Sequence, residues 1–245
     1  MPPLGLATSL IIAAVAVLAS TLAAVTGFGG AAVLLPALVV AFGVRDAVPI
    51  LTVAQLIGNG SRVWFNRHDL DLRVVGWFSL GGVPFALIGG VLFARAPLTG
   101  LTRLLGLFLL LIVLWRHLRP PATGRLPLGA FAAVGAGGSF LSALLGSVGP
   151  LMAPFFLAYG LVKGAYIGTE ALATVVMHVA KLVAYRNAAV LPMTSIGTGL
   201  AIAPLMILGS WLGKHIVDRL PAHVFVLLIE LTMTAAGILF LVRGH

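Results

Sequence analysis

The sequence predicts an all-α polytopic membrane protein, and three observations carry that prediction. Hydrophobic residues fill 60% of the 245 positions and charged residues only 9%, too little polar surface to cover a soluble globule of this size. The apolar segments run for about 20 residues, enough at 1.5 Å per residue to span a hydrocarbon core of about 30 Å. They do not alternate polar with apolar, so they are not barrel strands. The formal net charge of +9 comes from basic residues scattered through short connections, where they read as anchors against anionic lipid. A nucleic-acid partner is therefore not expected. The absence of cysteine removes disulfides, thiolate metal sites and cysteine nucleophiles.

Ten apolar segments follow in order. The first, 4–25, has no basic n-region and no convincing cleavage site, so it reads as a retained helix rather than a signal peptide. The second, 30–43, is too short to cross comfortably and follows directly on "TGFGG" at 26–30. The third, 46–66, carries polar residues along one face; the fourth and fifth, 72–94 and 98–115, are apolar spans. "RHLRPPATGRLP" at 116–127, with two consecutive prolines, is the most polar connection and divides the segments five and five. Beyond it come 128–145, a second short segment at 149–160 after "GSVGP", a polar-striped helix at 164–185, and spans at 193–217 and 222–242.

The two sets of five resemble each other. Gly27 and Gly30 match Gly146 and Gly149 at the same spacing, Pro36 falls near Pro154, and Thr52 leads to Arg62 as Thr169 leads to Lys181. "GGVPFALIGG" at 81–90 likewise matches "AIAPLMILGS" at 201–210. Four matches in one order point to a duplication. The expected organisation is a first membrane repeat over 1–118, a linker over 119–127 and a second repeat over 128–245. An odd number of crossings per repeat inverts one against the other, with short, broken helices at their interface. The connections holding Arg67, Arg116, Lys163 and Lys214 are more basic than those holding Arg45, Arg95 and Arg186, which places both termini outside the cytoplasm.

The glycine breaks carry a chemical meaning. In hydrocarbon every backbone N–H and C=O needs a partner, so an interrupted helix is tolerated where it is buried in protein or faces water. The half-helix that restarts beyond the break presents free N–H groups and a positive dipole end, which favour an anion. Glycine lets a ligand reach the backbone, and Thr26 or Ser147 adds a hydroxyl. The plainer reading is that these glycines serve only close helix packing.

The third and eighth segments add polar stripes. Thr52, Gln55, Asn59, Arg62 and Asn66 fall within an arc of about 80° at 100° per residue, and Glu170, Thr174, His178 and Lys181 do the same. Ionisable residues inside a membrane are costly and are functional candidates. The alternative for Arg62 and Lys181, near their segment ends, is that they snorkel to the interface. For Glu170 it is an internal ion pair with Lys181 or Arg62. Glu230, alone in the tenth segment, is equally well a structural hydrogen bonder. His68, His117, His215, His223 and His245 lie in or beside connections and read as interfacial rather than metal-ligating.

"TGFGGAAVLLPAL" followed by a threonine-containing helix, and its counterpart "SALLGSVGPLMAPFFLAYGL" with "IGTEA", resemble the TauE/SafE sulfite exporter family over almost the whole chain. The resemblance implies a duplicated permease of the bacterial cytoplasmic (inner) membrane that moves sulfite, sulfonates or related small organic anions. Two departures stand out: the second break has Pro150 where the first has Ala31 or Gly30, and the polar residues of the two stripes differ. On this reading the half-helix starts at Gly29/Gly30 and Gly149, with Thr26, Gly27 and Ser147, hold the oxyanion, while Arg62 and Lys181 supply charge and Gln55, Asn59 and Thr169 orient it. Glu170 or His178 carries a coupling proton, since histidine titrates near neutrality. The expected partners are a small sulfur oxyanion or organosulfonate, the lipid bilayer and, as an option, a second copy in a homodimer. No cofactor, metal or catalytic residue is expected. A passive anion channel is the alternative, with an intramembrane hydrolase using Ser139 or Ser142 and His178 behind it; "GxSxG" and "HExxH" contexts are missing.

Overall fold

The computed structural model describes residues 5–27, 30–118, 125–216 and, near the C-terminus, 231, 234–235 and 237–242. Gly29, Glu230 and most of the expected linker and tenth segment lie outside the described residues. The described residues form the helices α1 (Leu6–Thr26), α2 (Gly30–Phe42), α3 (Val44–Phe65), α4 (Leu72–Arg95), α5 (Leu98–Leu118), α6 (Ala130–Leu145), α7 (Gly149–Tyr159), α8 (Lys163–Asn187) and α9 (Met193–Ile216), with further helical residues up to Val242 and no strand among them. Leu6–Thr26, Leu72–Arg95, Lys163–Asn187 and Met193–His215 are each long and apolar enough to cross a bilayer.

Most boundaries fall where the composition places them. The start of α3 differs, at Val44 rather than 46. Arg45 accounts for the extension: its Nη1 donates to the carbonyls of Phe93 (2.9 Å) and Ala94 (2.6 Å), and its Nη2 to Ala96 (2.7 Å). A cation thereby meets the negative end of α4 and pins the first turn of α3 there.

Helix packing repeats a pattern. α4 lies on α6 and α8, α9 lies on α1 and α3, and α3 lies on α8. Small residues make the α4–α6 and α9–α1 crossings close: a Cβ on Gly81 or Gly135 would run into the backbone of Ala132 or Phe78 across the α4–α6 contact. On α9, a Cβ on Gly209 or Gly213 would meet the backbone of α1 at Val17 or Thr21. Backbone-to-backbone approach of this kind is what small residues contribute between membrane helices. Packing and break coincide at Gly30, where a Cβ would also meet the Ala19 carbonyl of α1, whereas the glycines of the α4–α6 and α9–α1 contacts lie away from the breaks. α3 is the most enclosed helix, burying Thr52, Gln55, Asn59 and Arg62. Large apolar side chains on the outside, such as Leu72, Leu80, Ile88 and Leu92 of α4, suit contact with lipid.

Candidate functional site

The site is built on the two breaks. α1 ends at Thr26, and Gly27 follows at φ 77° with its N–H on the Ala23 carbonyl at 2.9 Å. α6 ends at Leu145, and Gly146 follows at φ 84° with its N–H on the Ser142 carbonyl at 2.8 Å. This left-handed backbone is where glycine is favoured. At Gly27 a side chain would also overlap the ring of Tyr166. Gly27→Ala should therefore destabilise by about 1–2 kcal/mol from backbone strain and about 1–3 kcal/mol from overpacking. Gly160→Ala, at φ 108° with open space around it, should cost only the strain. Thermal unfolding of the two variants in detergent checks the difference.

α2 restarts at Gly30 and α7 at Gly149, and both starts line one cavity of about 40 Å³. The polar stripes meet them there: Gln55, Asn59 and Arg62 from α3, Glu170, Thr174 and His178 from α8, and Ser142, Gly146 and Ser147 from the second break. Phe78, Met152, Phe156 and Met177 supply apolar wall. A water needs about 10–15 Å³ on a comparable measure, so the space suits a group of a few heavy atoms and no long chain.

Arg62 is the main charge. It is 5% exposed, so it does not snorkel. Its Nη1 donates to the carbonyls of Ala23 (3.2 Å) and Gly27 (3.1 Å), its Nη2 donates to Asn59 Oδ1, and Nη1 lies 3.5 Å from Glu170 Oε2. The guanidinium thus neutralises the C-terminal end of α1 and one carboxylate together. Of the two cations considered for Glu170, Arg62 is the one it pairs with. Its Oε1 accepts from Thr174 Oγ1 at 3.1 Å.

Three buried polar atoms around the cavity, Gln55 Nε2, Ser147 Oγ and His178 Nδ1, have no hydrogen-bond partner among the described residues, and Glu170 Oε2 has only its ion pair with Arg62. Buried polar groups are almost always satisfied, so such a cluster marks a place for a polar ligand or water.

Three expected site residues lie off this cavity. Thr26 Oγ1 donates to Leu22 O of its own helix at 2.9 Å, and Thr169 Oγ1 accepts from the Asp71 N–H at 2.9 Å beside the start of α4. Lys181 is fully buried and donates to Ser142 Oγ at 3.1 Å, one layer behind the cavity wall. Among residues not named as ligands from sequence, Ser142 and Thr174 line the cavity. A signal for them exists: the 119-residue step that takes Gly27 to Gly146 and Gly30 to Gly149 also takes Gln55 to Thr174, Asn59 to His178, Arg62 to Lys181 and Ala23 to Ser142. Among the described residues no group of three or more His, Cys, Asp or Glu gathers as a metal site.

Comparison with known proteins bears on what this cavity serves. Neither the curated proteins nor the solved structures gave a match. A family model described as "Sulfite exporter TauE/SafE" matches residues 12–240, nearly the full chain. The chain, with its apolar helices and its enclosed polar centre, belongs to the sulfite exporter TauE/SafE family of membrane transporters.

Proposed function

We propose that this protein is a secondary transporter that moves sulfite or a similar small sulfonate across the bacterial cytoplasmic membrane, by alternating access and with proton coupling. One observation carries the reading: two half-helix starts, a buried guanidinium and several unpartnered polar groups converge on a cavity of about 40 Å³. Each helix start contributes roughly half a positive charge. A sulfur oxyanion offers three oxygens to backbone N–H groups at Gly30 and Gly149, to Ser147 and Gln55, and to the Arg62 fork. Gly27 opens the backbone to it, Asn59 holds the fork, and Lys181 adds its charge from behind Ser142. Thr26 and Thr169 are assigned to framing the site through their backbone partners rather than to direct contact.

Charge balance supports the proton. Arg62 and Glu170 are already paired, so an anion arriving in a buried site brings an uncompensated charge. If Glu170 yields the guanidinium to the anion and takes a proton in exchange, anion and proton enter together. The titratable and charged groups near Glu170 are Arg62 of α3 and Tyr166 of α8, with His178 on the same cavity wall. His178, buried on the same wall, is the second candidate for the proton.

The packing pattern supports alternating access by two inverted repeats, 1–118 and 128–245, joined by the 119–127 linker. A two-fold relation that exchanges α1 with α6, α3 with α8 and α4 with α9 turns the α4–α6 contact into α9–α1 and the α4–α8 contact into α9–α3. Both members of each exchanged pair of contacts are present. Rocking of one repeat on the other about the shared α3–α8 contact then exposes the cavity to either side.

The test is sulfite movement in proteoliposomes holding the purified protein. Saturable movement that follows an imposed pH gradient is the expected result. Ohmic, non-saturating current would establish a channel, and no movement of sulfite or of a short alkanesulfonate would overturn the reading.

A further inference from the structure

Arg62 faces two cavities. Besides the enclosed one, it lines a wider cavity of about 470 Å³, whose wall also holds Thr26, Asn66, Lys163, Tyr166 and Lys214. Three of its lining residues are cationic and none is acidic. Asp69 lies against the Gly164 backbone at this end of α8 but is not part of the lining. Lys163 is the first residue of α8, with a left-handed φ of 48°. Lys214, near the end of α9, donates to the Phe65 carbonyl at 3.1 Å and sits 5.4 Å from the centre of the Phe65 ring. Its ammonium is thereby held at the end of α3, one turn from Arg62.

Tyr166 stands between the two spaces. It lines the wide cavity and not the enclosed one, whereas Gly27 lines the enclosed one and not the wide one. The tyrosine ring lies so close to Gly27 that a single methyl there would overlap it. On its other flank is Phe156, a wall residue of the enclosed cavity, with ring centres 6.5 Å apart. Tyr166 is 5% exposed, and its hydroxyl has no hydrogen-bond partner among the described residues. A buried, unsatisfied hydroxyl at a partition between the cation-lined space and the cavity that holds the Arg62–Glu170 pair offers a passing oxyanion a donor.

We propose that the wide cavity is a second anion site, an antechamber in which Lys163, Lys214 and Arg62 collect a sulfur oxyanion, and that the Tyr166 ring on Gly27 is the partition it must pass to reach the enclosed cavity. The proposal rests on the transport reading above. Cations lining a concave, partly apolar space concentrate anions and raise their capture rate, in a manner that salt weakens. Arg62, shared by both spaces, passes the anion from one to the other without an intervening uncharged step.

The chain has no cysteine, so Ser147→Cys places a lone thiol in the enclosed cavity. Its alkylation by the small anionic reagent iodoacetate reads passage even if sulfite is not moved. Adding Tyr166→Ala should speed labelling by about tenfold or more, while Tyr166→Phe, which keeps the ring, should not. Adding Lys163→Gln with Lys214→Gln should slow the anionic reagent by about tenfold and leave neutral methyl methanethiosulfonate unaffected. On the otherwise unaltered protein in proteoliposomes, the paired lysine substitution should raise KM for sulfite by about tenfold, flatten its salt dependence and leave kcat unchanged. Equal labelling rates with and without Tyr166→Ala would overturn the partition. Unchanged anionic labelling and unchanged KM in the paired lysine variant would overturn the antechamber. Labelling that follows the proposal, together with no sulfite movement by the protein without the Ser147→Cys substitution, would instead count against the transport reading alone.

Discussion

Arg62→Gln is expected to abolish saturable sulfite transport and to weaken sulfite binding by about a hundredfold or more. The estimate follows from the cost of removing one partner of a buried, hydrogen-bonded charge pair, about 2–5 kcal/mol. Arg62 joins the Ala23 and Gly27 carbonyls, Asn59 and Glu170, so its loss removes the charge from the cavity and strands a carboxylate there. Arg62→Lys keeps the charge but cannot serve two carbonyls, an amide and an anion from one planar fork, and should recover only part of the affinity. Lys181→Gln should have a smaller effect, because Lys181 acts through Ser142 rather than at the cavity. Calorimetric sulfite titration beside thermal unfolding separates the roles. A purely structural arginine would lower the melting temperature of Arg62→Gln while the folded fraction bound sulfite with wild-type affinity, and that result would sink the assignment.

What the sequence reveals and what it conceals divide along physical lines. The helical class is legible because composition and segment length are properties of the whole chain that no packing detail can reverse. The breaks are legible because they are local: α2 and α7 begin at Gly30 and Gly149, where free N–H groups and a left-handed preceding turn need no distant information. The stripes are legible at the resolution of a helix face, which brings Gln55, Asn59, Arg62, Glu170 and His178 to one cavity. Which side chains on a face reach the ligand space is decided by partners far away in the chain. Thr169 turns to the Asp71 N–H, 98 residues away, and Lys181 to Ser142, 39 residues away. Thr26 is decided locally but by competition, since a helical hydroxyl can satisfy itself on the carbonyl four residues back. Tyr166 carries no sequence signal at all, because its role comes from lying on Gly27, a neighbour in space only.

Glu170→Gln is expected to remove from sulfite transport all pH dependence beyond that of sulfite's own titration and to end uphill accumulation, while exchange of internal for external sulfite continues. Glutamine matches glutamate in shape, and its carbonyl oxygen can still accept from Thr174 Oγ1, so the substitution removes the ionisable proton with little repacking. Arg62 then loses its competing carboxylate. A bound anion meets an unshared guanidinium, and affinity should rise by about tenfold, a gain on the scale of one partly screened charge contact. Tighter binding without a proton to trade also slows release, so maximal net flux should fall even as KM falls. Sulfite itself titrates, but that contribution is common to both proteins, and the difference between the wild-type and variant pH profiles isolates the residue. A profile in Glu170→Gln that keeps the wild-type slope would remove Glu170 as the proton carrier. If His178→Ala then flattened the slope, the proton would belong to the histidine on the same cavity wall, 8 residues along α8. Wild-type slopes in both variants would mean that no proton travels on this face of α8, and the ion pair with Arg62 would be left as scaffolding for the broken end of α1.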